Sequence, residues 1–288
     1  MNGATSAFSS LFRRRPWTRG LIHLLLVLAC VTFIFPMLWM LSTSFKPVEQ
    51  TTVFPPEWIP STLRWLNYSE AVRYIPFAQY TLNTVVLCVL SATGTTLSSA
   101  AVAFAFTRLE WPGRNLLFGV TLATMMVPFP VLMVPLYSVF RTLGWVGTLK
   151  PLWVPYFFGN AFHIFLLRQF FMRVPKYLPE AMSLDGASEL MIFRKIYLPL
   201  SKAALAVVFF FQFVHAWNDF LGPLLYLTDQ DTFTLSLGLQ FYQSKTGGTQ
   251  WHLLMAASFL TTLPIIIIFF FTQKTFLSGL TFMRNVDA

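Results

Sequence analysis

Charge is scarce in this chain. Only 11% of its 288 residues are Asp, Glu, Lys or Arg, 56% are hydrophobic, and the 32 phenylalanines outnumber all 20 lysines and arginines. A soluble domain of this length needs a charged exterior, which this composition cannot furnish. Cysteine is nearly absent too. Cys30 and Cys88 both fall inside apolar blocks, so no disulfide framework is expected and free buried thiols are the plain reading. The four histidines are scattered, without His-Glu-x-x-His or Cys-His ligand spacing, so no metal site is argued. No Gly-x-x-x-x-Gly-Lys-Ser/Thr loop offers to cradle a nucleotide phosphate, and no Gly-x-Ser-x-Gly elbow offers a nucleophile. Neither a catalytic residue nor a cofactor bound by this chain is expected.

What the chain has instead is length without charge. Uncharged stretches long enough to cross a bilayer, at about 20 residues each, run over Leu21–Leu41, Leu82–Phe106, Leu116–Phe140, Leu152–Met172, Ala203–Leu225 and Leu253–Thr272. The blocks are continuously apolar and do not alternate with polar residues, which points to helices and away from a barrel. The expectation is an all-α integral membrane protein of six transmembrane helices, divided into an N-terminal tail 1–20, a membrane domain 21–274 and a C-terminal tail 275–288.

The formal net charge of +9 could suggest a nucleic-acid partner, but the basic residues sit at the edges of apolar blocks and form no polar domain. Their distribution sets orientation instead. Arg13, Arg14, Arg15, Arg19, Arg108, Arg114, Arg168, Arg173, Lys176, Arg194, Lys195, Lys202, Lys274 and Arg284 fall on one side of the six spans; Lys46, Arg64, Arg73, Arg141, Lys150 and Lys245 fall on the other. Fourteen against six places both termini and the 173–202 segment in the cytoplasm. Arg13 to Arg15 before an apolar run resembles a signal peptide, but the run continues past Cys30 to Phe45, and an uncleaved first helix is expected.

On the outer side, Lys46 to Arg73 carries four prolines with Trp58 and Trp65, as a structured loop at the membrane surface would. Prolines also recur within the spans, at Pro36, Pro128, Pro130, Pro135, Pro155 and Pro264, where they either kink pore helices or are simply tolerated.

The most informative stretch is cytoplasmic, Arg173 to Lys202. A mere connection would be short and polar. Here Pro179 and Glu180 suit a helix start, Ala181, Leu184 and Ala187 make a small apolar face, and Gly186 permits a turn. Leu190, Phe193, Ile196 and Tyr197 then recur at helical spacing. Such a segment could lie on the bilayer or dock into a groove of a cytoplasmic partner.

The order Glu180-Ala181-Met182, Gly186, Ile196-Tyr197-Leu198-Pro199 resembles the cytoplasmic signature of the membrane components of binding-protein-dependent ABC importers, with every interval matched. It departs only at Met182, where the signature has Ala. Ala216-Trp217-Asn218-Asp219-Phe220, Phe233 to Leu239, Met255-Ala256-Ala257 and Ser278-Gly279-Leu280-Thr281 extend the likeness to the carbohydrate branch, in the subunit similar to the second maltose-type permease. The resemblance implies a bacterial or archaeal inner-membrane protein with a coupling helix between spans four and five. Its partners would be a second homologous permease, a dimer of ATP-binding cassette ATPases holding the ATP and magnesium, an extracytoplasmic solute-binding protein and the bilayer. Glu180, Ala181, Met182, Leu184, Asp185, Gly186, Ala187, Ile196 and Pro199 would make or shape the ATPase contact. The outer loop carrying Gly238, Gln240, Gly247 and Gly248 would meet the binding protein. The cargo would be a sugar or oligosaccharide; glycerol-phosphate-type esters are carried by similar proteins.

Polar groups within spans are costly and usually face the bundle interior. Gln212, His215 and Asp219 share one helix face, with Asn218 beside them, and Asn83, Asn160 and His163 are further examples. They either line a solute path, since sugar hydroxyls need hydrogen-bonding partners, or fix the bundle by interhelical bonds. A secondary transporter working alone would need acidic relays and broken-helix repeats, and only Asp219 is available for one.

Overall fold

The computed structural model describes residues 16–243 and 248–286, with side chains at the C-terminal end as far as Gln273. The described residues are nearly all helical; their one β feature is an isolated bridge between Gln243 and Thr249. The helices are α1 Pro16–Ser44, α2 Leu66–Tyr74, α3 Phe77–Arg108, α4 Arg114–Ala123, α5 Phe129–Thr142 and α6 Ala161–Phe171. They continue with α7 Tyr177–Leu184, α8 Glu189–Ile192, α9 Lys202–Asn218, α10 Leu221–Tyr226 and α11 Trp251–Val286.

Among the described residues, three helical stretches are long and apolar enough to span a membrane by themselves, Gly20–Ser44, Phe77–Arg108 and Trp251–Gln273. The count rises to five if two bent pairs each form one span. This is fewer than the six continuous spans expected, and for the third and fourth the reason is proline and glycine chemistry. The expected third span bends by 101° between Arg114–Met126 and Phe129–Thr142. There Pro128 and Pro130 supply fixed φ angles and no N–H. The expected fourth breaks at Gly159, whose φ of +91° no helix accommodates, leaving a 3₁₀ stretch Val154–Phe158 before α6. The C-terminal segment 275–288, expected as a tail, is helical as far as Val286. Cys88 is buried, but Cys30 lies exposed on α1.

The chain forms two compact units, Met1–Ala71 with Tyr242–Leu260 and Val72–Phe241 with Thr261–Ala288. In the first, Asn67 on α2 donates to the carbonyls of Ser44 and Lys46, and the Tyr242 hydroxyl donates to the Ala71 carbonyl at 2.7 Å. The loop after α1 folds back on itself. Lys46, 1% exposed, donates from Nζ to the Glu57 carbonyl at 2.6 Å and lies 3.9 Å from the Trp39 ring centroid.

The second unit is organised on α3. Along its middle the buried residues are all small, Cys88, Ser91, Ala92, Gly94, Thr95, Ser99, Ala100 and Ala103, while larger Tyr80, Leu87, Phe104 and Phe106 are buried toward its two ends. Small side chains let neighbouring backbones approach closely where no hydrophobic effect drives helices together. Helices α6 and α9 and the 3₁₀ stretch pack there. The Phe157 ring lies so near Gly94 that a Cβ there would meet ring carbons at 2.3 and 2.4 Å. The same face satisfies the backbone freed by the break at Gly159. Ser98 donates to the Tyr156 carbonyl at 3.1 Å, and the Asn160 N–H donates to Ser99 Oγ at 3.2 Å. Irregular backbone at membrane depth is tolerated only where protein satisfies it.

Candidate coupling segment and polar groove

The 173–202 segment folds as two helices around a tight turn. Helix α7 is capped at its C-terminus by Asp185, and Gly186 follows with φ +80°, a left-handed conformation that favours glycine. Ser188 then caps α8, its hydroxyl accepting from the Met191 N–H at 3.3 Å. Beyond Ile192 the coil widens into a π-helical stretch, Phe193–Tyr197, before Leu198–Leu200 and a 79° bend into α9. Such widened turns gather at functional positions in helices.

Burial divides the segment into a root and a tip. Ile192, Ile196 and Tyr197 are buried in a cluster with Ala100, Ala103, Phe104, Leu167, Phe171, Ala204 and Val208. The Phe104 ring centroid lies 5.0 Å from those of both Phe193 and Tyr197. Met182 and Ala187 are half-buried against the same cluster. The departure at Met182 is thus an inward-facing position where a flexible thioether fills space. At the tip, Glu180, Ala181, Asp185 and Gly186 are exposed, with Leu184 at 90%; Pro199 is exposed further along.

Sequence reasoning missed Arg108. In the last turn of α3, its Nη2 donates to Ser183 Oγ at 3.1 Å, and its Nε lies 3.5 Å from Glu189 Oε2, an ion pair without a hydrogen bond. One guanidinium therefore touches both arms of the segment. Only the run of basic residues at span ends marked it, as a topology signal.

The expected pathway residues separate. His215, Asn218 and Asp219 line a groove of about 610 Å³ together with Phe129, Tyr156, Val214, Phe220 and Leu221. His215 and Asn218 are exposed and Asp219 half-buried. The Asn218 amide folds back on the Val214 carbonyl at 2.8 Å, and Asp219 Oδ1 accepts from the Gly222 N–H at 3.1 Å. Gln212, only 1% exposed, points inward toward Tyr156, and its Nε2 finds no hydrogen-bond partner among the described residues. Asn160 caps α6, its Oδ1 accepting from the N–H groups of Phe162 and His163. Asn83 stands apart from the groove. Its amide donates to the carbonyls of Asp231 at 2.8 Å and Phe233 at 3.0 Å, fastening the 230–238 segment to α3.

Of the loop residues expected to meet a binding protein, Gly238 is buried, and a Cβ on it would meet the Tyr80 ring at 2.5 Å. Gln240 and Gly248 are exposed, and Gly247 lies outside the described residues. Among the described residues no group of His, Cys, Asp and Glu could hold a metal ion.

Comparison with known proteins gives this arrangement a context. Residues 98–281 match the family model described as binding-protein-dependent transport system inner membrane component. The chain is 32% identical over 278 residues to the sn-glycerol-3-phosphate transport system permease protein UgpE of Escherichia coli K12, covering 94% of this chain and 98% of that one. The Shigella flexneri serotype 5b protein of the same name matches with the same identity and coverage. Among solved structures, a bacterial ABC transporter involved in import of the acidic polysaccharide alginate superposes with a TM-score of 0.79 at 21% identity, covering 91% of this chain and 97% of that one. A bacterial alginate ABC transporter in complex with an alginate pentasaccharide-bound periplasmic protein follows, with a TM-score of 0.62 at 14% identity and 88% and 93% coverage. At those identities the likeness is one of fold. The family signature, the apolar helices and the matched length agree: this chain belongs to the inner-membrane components of binding-protein-dependent transport systems.

Proposed function

We propose that the chain is a pore-forming permease subunit of an ATP-driven importer, moving a sugar or oligosaccharide into the cytoplasm by alternating access. It would cross the membrane six times with both termini cytoplasmic, the broken 150–171 stretch making the fourth crossing. Its partners would be a second permease, an ATPase pair carrying ATP and magnesium, and an extracytoplasmic binding protein. One observation carries the reading: the signature from Glu180 to Pro199 folds with an exposed tip and a root sunk among α3, α6 and α9. A partner that displaced the tip would move packed helices, because a close-packed core transmits displacement and does not absorb it.

The groove supports an uncharged cargo. Phe129, Tyr156 and Phe220 line it together with polar His215, Asn218 and Asp219, and among the described residues no lysine or arginine does. A phosphate ester would ordinarily call for Arg or Lys. The opposing reading, a glycerol-phosphate ester, is favoured by the names of the relatives. Co-purification with the neighbouring gene products in nanodiscs tests the assignment. Wild type should hold an ATPase pair and show binding-protein-stimulated turnover, and Gly186→Asp should lose one or both. A wild-type chain that purifies alone and transports without ATP would refute it. Uptake of labelled sugars against labelled glycerol phosphate decides the cargo.

A further inference from the structure

Helix α3 is engaged at both ends. Its 32 residues extend about 48 Å at 1.5 Å per residue. At the Phe77 end, the Asn83 amide donates to the carbonyls of Asp231 and Phe233, and Thr84 Oγ1 accepts from the Leu235 N–H at 2.9 Å. Gly238 sits against Tyr80 on the same helix end. At the Arg108 end, one side chain touches Ser183 of α7 and Glu189 of α8. The turn between those helices has Gly186 at its apex, with open space around it.

We propose that Arg108 is a positioning residue that clips both arms of the 177–192 segment to α3, making α3 a strut between that segment and the outer segment 230–238. The proposal rests on the permease reading and adds a residue and a route to it. Ser183 and Glu189 flank the glycine turn, so a group holding both fixes the angle between α7 and α8. Without it the turn flexes at Gly186, and displacement of the tip is lost in the hinge before it reaches α3. The clip is not a source of stability. The Arg108 and Glu189 side chains are 26% and 46% exposed, and ion pairs so open to solvent add little to stability. Removal should therefore leave the fold intact and act on coupling. A basic group at a helix C-terminus also suits the negative end of the helix dipole.

The test has two parts. In the purified chain, Arg108→Ala should raise amide hydrogen exchange over 177–192 and leave α6 and α9 unchanged; this needs no partner and reads the clip alone. In the nanodisc complex, Arg108→Ala should retain the ATPase pair and basal turnover. Binding-protein stimulation should fall at least about fivefold, the lower end of allosteric couplings. Arg108→Glu and Glu189→Arg should each lose stimulation, and the double variant should recover it. Arg173→Ala, an exposed basic residue of the same region, serves as the control. Unchanged exchange, full stimulation in Arg108→Ala, loss of the ATPase pair in that variant, or no recovery in the swap would each overturn the clip. Failure of the wild-type chain to hold an ATPase would instead refute the permease reading, while the exchange result still judges the clip.

Discussion

At Gly238 the constraint on side-chain size is absolute in direction and local in origin. A Cβ there would lie 2.5 and 2.9 Å from carbons of the Tyr80 ring and 3.2 Å from Ile75. Gly238→Ala should destabilise the chain by roughly 1–3 kcal/mol, as overpacking does, read as a lower melting temperature. Pairing it with Tyr80→Leu should restore part of the loss; a double variant worse than the sum would show that the turn and not the ring is at fault. Lys46 offers a pH experiment. Burial holds its pKa below the ordinary 10.5, with the Glu57 carboxylate opposing that shift. Between the depressed native value and 10.5 the unfolded chain binds more protons, so stability should rise as pH climbs through that interval. Lys46→Met should flatten the slope, and identical pH profiles for both proteins would show that this lysine is not the source.

Whole elements depend on single polar groups. Helix α6 begins just after the break at Gly159, and Asn160 satisfies two of its first N–H groups. Removing such a cap costs about 1 kcal/mol. Asn160→Ala should fray the start of α6, visible as faster exchange at 161–164, while Asn160→Asp should preserve it. Asn83 plays the equivalent part for the 230–238 segment. Replacing it with leucine of similar size leaves the carbonyls of Asp231 and Phe233 without their donor, and protease accessibility over 228–241 should increase. A loop that stays protected would mean that Thr84 and the seat of Gly238 on Tyr80 suffice.

For the molecule as a whole, orientation is the feature most open to direct test. In a chain with Cys30 and Cys88 replaced by serine, single cysteines at exposed Asp185 and Gln240 should label from opposite faces of the membrane. Labelling of Asp185 from the cytoplasmic side is expected; labelling of both from one side would dismiss the six-crossing arrangement.

The sequence by itself determined that this chain lives in a bilayer, because composition and uncharged run length are properties of residues one at a time. It also determined the glycine turn at Gly186, since spacing along a single segment suffices for that. It did not determine the continuity of the spans. Hydropathy sums over Pro128 and Gly159 without registering that the backbone there leaves the helix, so six uniform blocks became three long helices and several broken ones. Only the tertiary structure decided which polar residues act together. Gln212 and His215, neighbours on one helix face by spacing, part into a buried inward group and an exposed groove-lining one. Asn83 proves to hold residues about 150 positions away, and Arg108 reaches Ser183 and Glu189 across a separation of 75 residues to the first. Periodicity reports which face a side chain occupies; what stands opposite that face depends on packing between distant segments.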